Sequence, residues 1–256
     1  YIDGYCKLCR AGRISLGDEV DIVVPTGNFG NILAAYFARR MGLPVRRFVC
    51  ASNANDVLTD FIRTGVYDRR RDFYTTISPS MDILISSNLE RLLYLVSGDC
   101  ELVASLMQQL KTDGFYTVPA ELLEKIQSRF WAGCCGDEAT GETIREVWTR
   151  HSYLCDTHTA VAWNVARQYE KAAESPDLMV VLSTASPYKF PAAVLSAIGA
   201  KCDGDEFDMM SALEKVTGVP MPANLRSLRV RPVLHTGCVK PGKMRGYVLD
   251  LLEGKT

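Results

Sequence analysis

The chain has 256 residues, 47% of them hydrophobic and 23% charged, which is an ordinary globular balance with enough length for a substantial core. Its 29 basic and 30 acidic side chains leave a formal net charge of -1, so no global field favours nucleic acid or an anionic membrane. No apolar run approaches the roughly 18 residues of a membrane span, and no signal-peptide pattern opens the sequence. The nine scattered cysteines argue against a disulfide scaffold and for a reducing, cytoplasmic setting.

Residues 1–11 read as the tail of a helix, with Tyr1, Tyr5, Leu8 and Cys9 near helical spacing and Gly12 as the stop. No capping residue precedes it, so the chain is expected to start inside an element. Cys6 and Cys9 form a lone C-x-x-C without a second pair or suitably spaced histidines; no metal is expected, and both thiols are read as apolar packing on one helix face. Residues 20–25 are a β-branched run that reads as a buried strand. Residues 30–41 form a helix closed by Gly42 and Pro44, residues 45–51 a second strand, and residues 55–64 a second helix stopped by Gly65. This is the βαβ alternation of a parallel sheet.

Arg69, Arg70 and Arg71 sit between Asp68 and Asp72 and read as a solvated turn. The middle of the chain reads as mainly helical, over residues 87–96, 101–112, 119–129, 140–150 and 157–171. Residues 178–183 read as a third buried strand, entered through Ser175, Pro176 and Asp177. It leaves through Thr184, Ala185, Ser186 and Pro187 toward a helix near 191–198. From about residue 205 a tail carries one or two helices, a Gly- and Pro-punctuated stretch over 231–242 and an apolar close over 247–252. The expected fold is α/β, an open, mostly parallel sheet flanked by helices, with sheet and turn in residues 1–204 and a helical tail in 205–256.

Four places carry candidate chemistry. The first is the turn Gly27, Asn28, Phe29, Gly30, Asn31, which follows the first strand and opens a helix. Free N–H groups at a helix start, with the positive end of its dipole, suit a phosphate. Gly27 and Gly30 are expected to permit positive φ and a close ligand. The turn lacks the Gly-Lys-Ser/Thr of a Walker loop and the spacing of G-x-G-x-x-G, so the phosphate is expected on N–H groups rather than on a lysine or arginine. The alternative is a turn with glycines for sterics only. The second place is Ser183-Thr184 at the end of the third strand, where ligands of open α/β sheets collect. A threonine hydroxyl would share a hydrogen bond with a heteroaromatic nitrogen without forcing its protonation; the alternative is a helix cap.

The third place is the hydroxyl-rich run of residues 76–83 with Ser86, Ser87 and Asn88, suited to capping or to an anion. The fourth is Asp156 and His158 at a helix start, where the histidine is either a general base or structural. A nicotinamide-binding Rossmann site is a weaker rival, because the second strand ends in Ala51, Ser52 and Asn53 rather than in an acid.

Together these segments resemble threonine synthase, a pyridoxal-phosphate (PLP) enzyme of fold type II. The resemblance runs in order through Val24-Pro25-Thr26-Gly27-Asn28-Phe29-Gly30-Asn31, Cys50-Ala51-Ser52-Asn53 with Asn55-Asp56-Val57-Leu58, and Ser78-Pro79-Ser80-Met81-Asp82-Ile83. It continues through Ser86-Ser87-Asn88-Leu89-Glu90-Arg91, Asp156-Thr157-His158-Thr159-Ala160-Val161 and Ser183-Thr184-Ala185-Ser186-Pro187-Tyr188-Lys189-Phe190-Pro191. Many members carry histidine where this chain has Ser186. The resemblance implies PLP as cofactor, its phosphate gripped by Gly27, Asn28, Phe29, Gly30 and Asn31, and its ring nitrogen hydrogen-bonded by Thr184. It implies O-phosphohomoserine and water as substrates and threonine and phosphate as products, with Ser80, Asp82, Ser87 and Asn88 as candidates for the substrate phosphate.

The Schiff-base lysine of the family lies in a Phe-Lys-Asp motif upstream of the phosphate turn, and no Phe-Lys-Asp occurs here. Lys7 is the sole lysine before the turn, and nothing in the sequence moves the role to Lys189. The chain is therefore expected to be the C-terminal portion of the PLP-binding large domain, inactive alone, with no catalytic residue of its own and with the N-terminal part of the same enzyme as partner. An exposed apolar crevice face is compatible with a homodimer. The alternatives are a PLP lyase that yields 2-oxobutyrate and a catalytically dead paralogue that binds anions or a partner.

Overall fold

The computed structural model describes residues 1–173 and 178–254. The chain divides into two compact units, Tyr1–Pro220 and Met221–Thr256. The first unit begins with α1 (Ile2–Arg10), whose C-terminal turn is closed by Gly12 at φ +64°. β1 (Val20–Pro25) follows, and all six of its residues are buried. α2 (Gly30–Arg40) leads to β2 (Val45–Ser52), α3 (Val57–Thr64) and the short β3 (Val66–Asp68). Next come α4 (Leu89–Ser97), α5 (Cys100–Thr112), β4 (Phe115–Thr117), α6 (Ala120–Gln127) and β5 (Phe130–Cys134). The unit closes with α7 (Asp137–His151), α8 (Thr157–Ala172), β6 (Leu178–Val181), α9 (Pro191–Ala197) and α10 (Glu206–Thr217).

Four strands form one wholly parallel sheet in the order β5-β2-β1-β6. This is the α/β class expected. Alternate residues of β1 serve opposite faces. Val20, Ile22 and Val24 join Phe48, Phe130 and the buried residues of α2 on one side. Val23 joins Val49, Ala51 and the α8 residues Val161, Ala162 and Val165 on the other. Burial on both faces is why β1 reads as an apolar run, broken only by Asp21.

Three readings are corrected. The middle segment is mainly helical as read, but its short strands β3, β4 and β5 were missed, and β3 pairs antiparallel with β4 in a separate ribbon. The third predicted strand is not buried, since Leu178 is exposed and the rest of β6 is half-buried. The physical reason is its place at one end of the sheet, hydrogen-bonded to β1 alone among the described strands. Its predicted entry through Ser175, Pro176 and Asp177 lies outside the described residues. Third, Arg71 is not a purely solvated charge: its guanidinium bridges Asp56 and Asp60 at 2.8 and 2.9 Å, while Arg70 pairs with Asp68 on the surface.

The second unit holds α11 (Ala223–Arg226) with a 3-10 turn at Ser227–Val230, and α12 (Met244–Leu252) after a turn at Pro241–Lys243. The predicted apolar close lies in α12, where Val248, Leu249, Leu251 and Leu252 are all exposed.

Candidate functional site

The sheet places its crevice at a defined point. From β1 the chain crosses through α2 to β2 on one side, while β6 pairs with β1 on the other. The strand order therefore reverses between β1 and β6, and ligands of open α/β sheets bind beyond the carboxyl ends of strands at such a switch point. A cleft of about 340 Å³ opens there. The whole turn Gly27 to Asn31 lines it, with Thr184 and Ala185 from the loop after β6. Ser80, Met81, Asn88, His158 and Lys189 complete the wall. Among the described residues, no aspartate or glutamate lines the cleft.

The turn differs from the expectation in one respect. Neither Gly27 nor Gly30 has a positive φ; the left-handed residue is Phe29, at φ +61°. The Phe29 ring is 1% exposed and packs on Phe130 at 5.8 Å between centroids. Gly27 is needed for room instead: a Cβ there would stand 2.9 Å from the Cα of Met81. α2 begins with no side-chain cap and no acid in its first turn, and its first backbone N–H groups face the cleft end of the helix.

Side chains from residues 86–88 fix the turn. Asn28 Oδ1 accepts from the Ser87 N–H at 2.7 Å and from its hydroxyl at 2.8 Å, and the Asn88 amide donates to the Asn28 carbonyl at 2.7 Å. The Tyr1 hydroxyl reaches the Asn31 carbonyl at 2.9 Å and its Oδ1 at 2.6 Å.

The opposite wall is the 3-10 turn Pro79–Met81, and His158 holds it. The Ser80 N–H donates to His158 Nε2 at 3.1 Å, so that nitrogen is an acceptor and the ring proton sits on Nδ1, 2.9 Å from Asp156 Oδ1. Asp156 also caps α8, accepting from the His158 N–H at 2.9 Å and from the Thr159 hydroxyl. Burial pushes the Asp156 carboxyl up, but the hydrogen bonds from His158 and Thr159 outweigh it and hold it below its usual range. Of the two sequence readings of His158, the geometry supports the structural one.

The hydroxyl-rich run is spent on its own fold. Asp82 Oδ1 accepts from Asn53 at 2.8 Å and from the Thr76 hydroxyl at 2.7 Å, and Oδ2 accepts from the Thr76 N–H at 2.9 Å. Asn55 donates to Asp82 at 3.1 Å and exchanges hydrogen bonds with the backbone of Tyr74. Asn53 and Asn55 are buried at the carboxyl end of β2 and tie down residues 74–82. The sequence reading gave these two asparagines no task; a polar pair directly after a buried strand was the available signal.

All six predicted cofactor residues thus share one cleft, joined by Ser80 and Asn88. Asp82 belongs to the network beside it, and Ser87 braces Asn28. Ser183 accepts from Tyr153 at 3.1 Å and Thr159 at 3.3 Å, and Ser186 caps the turn Pro187–Lys189. Lys189, set aside from sequence, is in the cleft.

With this arrangement in view, the relatives can be read. Residues 159–232 match the family model described as threonine synthase, C-terminal. "Threonine synthase-like 1" of Macaca fascicularis is 43% identical over 203 residues, covering 78% of this chain and 27% of that protein. The chain belongs to the threonine synthase family, matching its C-terminal part. Threonine synthase of Saccharomyces cerevisiae is 41% identical over 196 residues, covering 70% of the chain and 38% of the enzyme. The crystal structure of PLP-bound threonine synthase from Brucella melitensis superposes with a TM-score of 0.71 at 39% identity, over 84% of this chain and 48% of that one. The chain spans less than half the length of these relatives.

Proposed function

We propose that the cleft binds PLP, and that the longer enzyme to which this portion belongs converts O-phosphohomoserine and water to threonine and phosphate. The observation that carries the reading is the meeting of an uncapped helix start and a neutral hydroxyl, Thr184, in one acid-free cleft at the sheet's switch point.

The residues present fit this cofactor. The backbone N–H groups of Gly30, Asn31 and Ile32 have no partner within α2 and would hold the phosphate. Thr184 would hydrogen-bond the ring nitrogen and leave it neutral, since no carboxylate is at hand to hold a proton there. Phe29 fills the floor beneath the turn, and Asn28 is held by Ser87 and Asn88, so the grip is formed before the ligand arrives. When bound, the cofactor supplies an electron sink conjugated to the substrate's α-carbon. The lysine that anchors it lies, on this reading, in upstream sequence, and the 256 residues alone hold it without a covalent bond. The activity belongs to threonine biosynthesis in the cytoplasm.

Pyridoxine 5′-phosphate lacks the aldehyde and tests the grip directly. It is expected to bind the chain and to slow hydrogen exchange at the amides of residues 30–32; binding that leaves those amides unprotected would sink the assignment. Borohydride treatment of the chain with PLP is expected to leave no reduced lysine adduct. The alternative reading is a PLP lyase that yields 2-oxobutyrate. Product analysis of the longer protein, threonine against 2-oxobutyrate, separates the two.

A further inference from the structure

Among the described residues, Lys189 is the sole lysine or arginine lining the cleft, and no acid lines it. It takes part in none of the ion pairs among the described residues. It is also held in place. Its N–H donates to the Ser186 carbonyl at 3.0 Å, closing the 3-10 turn Pro187–Lys189. On one side Tyr188 is 2% exposed, with its hydroxyl donated to the Val219 carbonyl. On the other, the Phe190 ring packs on His158 at 4.8 Å, the histidine that holds Ser80 on the facing wall. The backbone bearing this cation is therefore anchored from both neighbours.

Charge arithmetic gives the cation a task. A helix start offers the equivalent of roughly half a positive charge. A phosphate monoester carries about -1.5 to -2 at neutral pH. The turn by itself leaves about one to one and a half negative charges uncompensated. His158 adds none, because its two nitrogens are committed as donor to Asp156 and acceptor from Ser80.

We propose that Lys189 is the cation that neutralises the phosphate group held at the turn of residues 27–31, so that the cleft selects a phosphorylated ligand by charge as well as by shape. This rests on the cofactor reading above and departs from the sequence expectation that the phosphate sits on N–H groups rather than on a lysine. The contact is charge-assisted, and its loss costs affinity for the phosphate form alone.

The test compares pyridoxine 5′-phosphate with pyridoxine by calorimetry, on the whole chain and on Lys189→Met and Lys189→Arg. The wild type is expected to prefer the phosphorylated form. Lys189→Met is expected to weaken that form by about 10- to 100-fold while changing pyridoxine binding by less than about twofold. Lys189→Arg is expected to restore most of the loss. Added salt should weaken the phosphate form more in the wild type than in Lys189→Met. The side chain is exposed, so circular dichroism and melting should be unchanged and serve as the folding control. Should Lys189→Met keep the wild-type preference for phosphate, the proposal is wrong while the cofactor reading stands. Should the wild type itself show no preference, both are wrong.

Discussion

Replacing each glycine of the turn by alanine separates two reasons for glycine at the same site. At Gly27 a new Cβ would lie 2.9 Å from Met81 Cα, 3.2 Å from the Ser80 carbonyl oxygen and 3.2 Å from Ile83 Cδ1. Two of these are backbone atoms, and neither can move freely. The Ser80 N–H is bonded to His158, and the Met81 N–H closes its own turn onto the Ser78 carbonyl at 3.0 Å, with the Met81 side chain 3% exposed. Overpacking of this kind costs about 1–3 kcal/mol, and the anchored neighbours put Gly27→Ala near the middle or above. For a unit of this size that is a fall in melting temperature of about 4–8 °C. At Gly30 the new Cβ would meet the Asn88 side chain at 3.4 and 3.9 Å, which is ordinary contact. Gly30 is the first residue of α2 and has no positive φ, so alanine gains up to about 1 kcal/mol from helix propensity.

The assay is urea unfolding of both variants beside the wild type, followed by far-UV circular dichroism. Gly27→Ala should lower the midpoint without changing the slope, and Gly30→Ala should leave it unchanged or raise it. If Gly27→Ala lost less than about 0.5 kcal/mol, the close approach of residues 80–83 would not be what demands glycine. If Gly30→Ala proved the worse variant, the division of roles within the turn would be refuted.

Asp21 is fully buried in β1, where Arg46 reaches it at 2.5 and 3.1 Å and the Tyr169 hydroxyl at 3.1 Å. Asp21→Ala is expected to cost about 2–4 kcal/mol in denaturant unfolding, because it strips the acceptor from a part-buried guanidinium and a buried phenol. Asn53→Ala removes the donor to Thr76, Ser78 and Asp82 and the acceptor of the Asn55 N–H; hydrogen exchange should speed up over residues 74–82 well before β1 or β2. Asp156→Asn turns an amide toward donors that need an acceptor and is expected to cost about 1–3 kcal/mol at pH 7. The Asp156 carboxyl titrates below its usual 3.8 in the folded chain, so its stabilisation is present above about pH 4 and fades as the pH falls through the folded value. The gap between wild type and Asp156→Asn should therefore shrink in acid; a gap constant from pH 7 to 3 would contradict the assigned hydrogen bonds.

The central strands and most helices were legible because their patterns are strong. β1 is apolar except for Asp21, and Gly12, Gly65 and the Asp156 cap mark helix ends as their residue types predict. β5 was missed because Phe130–Cys134 is only five residues, lies between two helices and carries Gly133 in its interior, which weakens a strand pattern. β3 and β4, of three residues each, are stabilised by pairing with each other and by the stacked Tyr67 and Tyr116 rings 5.3 Å apart, a long-range fact that no local pattern contains. The turn and Thr184 were legible as separate strand ends; that they share a cleft follows from β6 pairing with β1. Lys189 was not legible, because four residues of turn separate it from Thr184 and only the Ser186 cap and the Tyr188 anchor set where it sits.

The turn also explains why glycine spacing was a weak guide to it. A left-handed residue other than glycine costs about 1–2 kcal/mol, and that residue here is Phe29. Burying a phenylalanine side chain contributes about 1.5–3 kcal/mol, and contact with a second ring adds about 0.5–1.5, enough to offset the backbone cost. Phe29, 1% exposed against Phe130, meets both conditions. The chain thus reverses into α2 on an aromatic anchor rather than on a flexible glycine, and the unfolded state lacks the extra freedom a third glycine would give it. Gly27 is then free to answer the close wall at Met81, and Gly30 to leave the helix start open. A phosphate turn made this way has no reason to match G-x-G-x-x-G, where glycine itself supplies the bend. The same logic predicts that Phe29→Gly, which removes the strain, destabilises the chain by about 2 kcal/mol or more, because the lost ring outweighs the relieved φ; a variant as stable as the wild type would show that the ring contributes nothing to holding the turn.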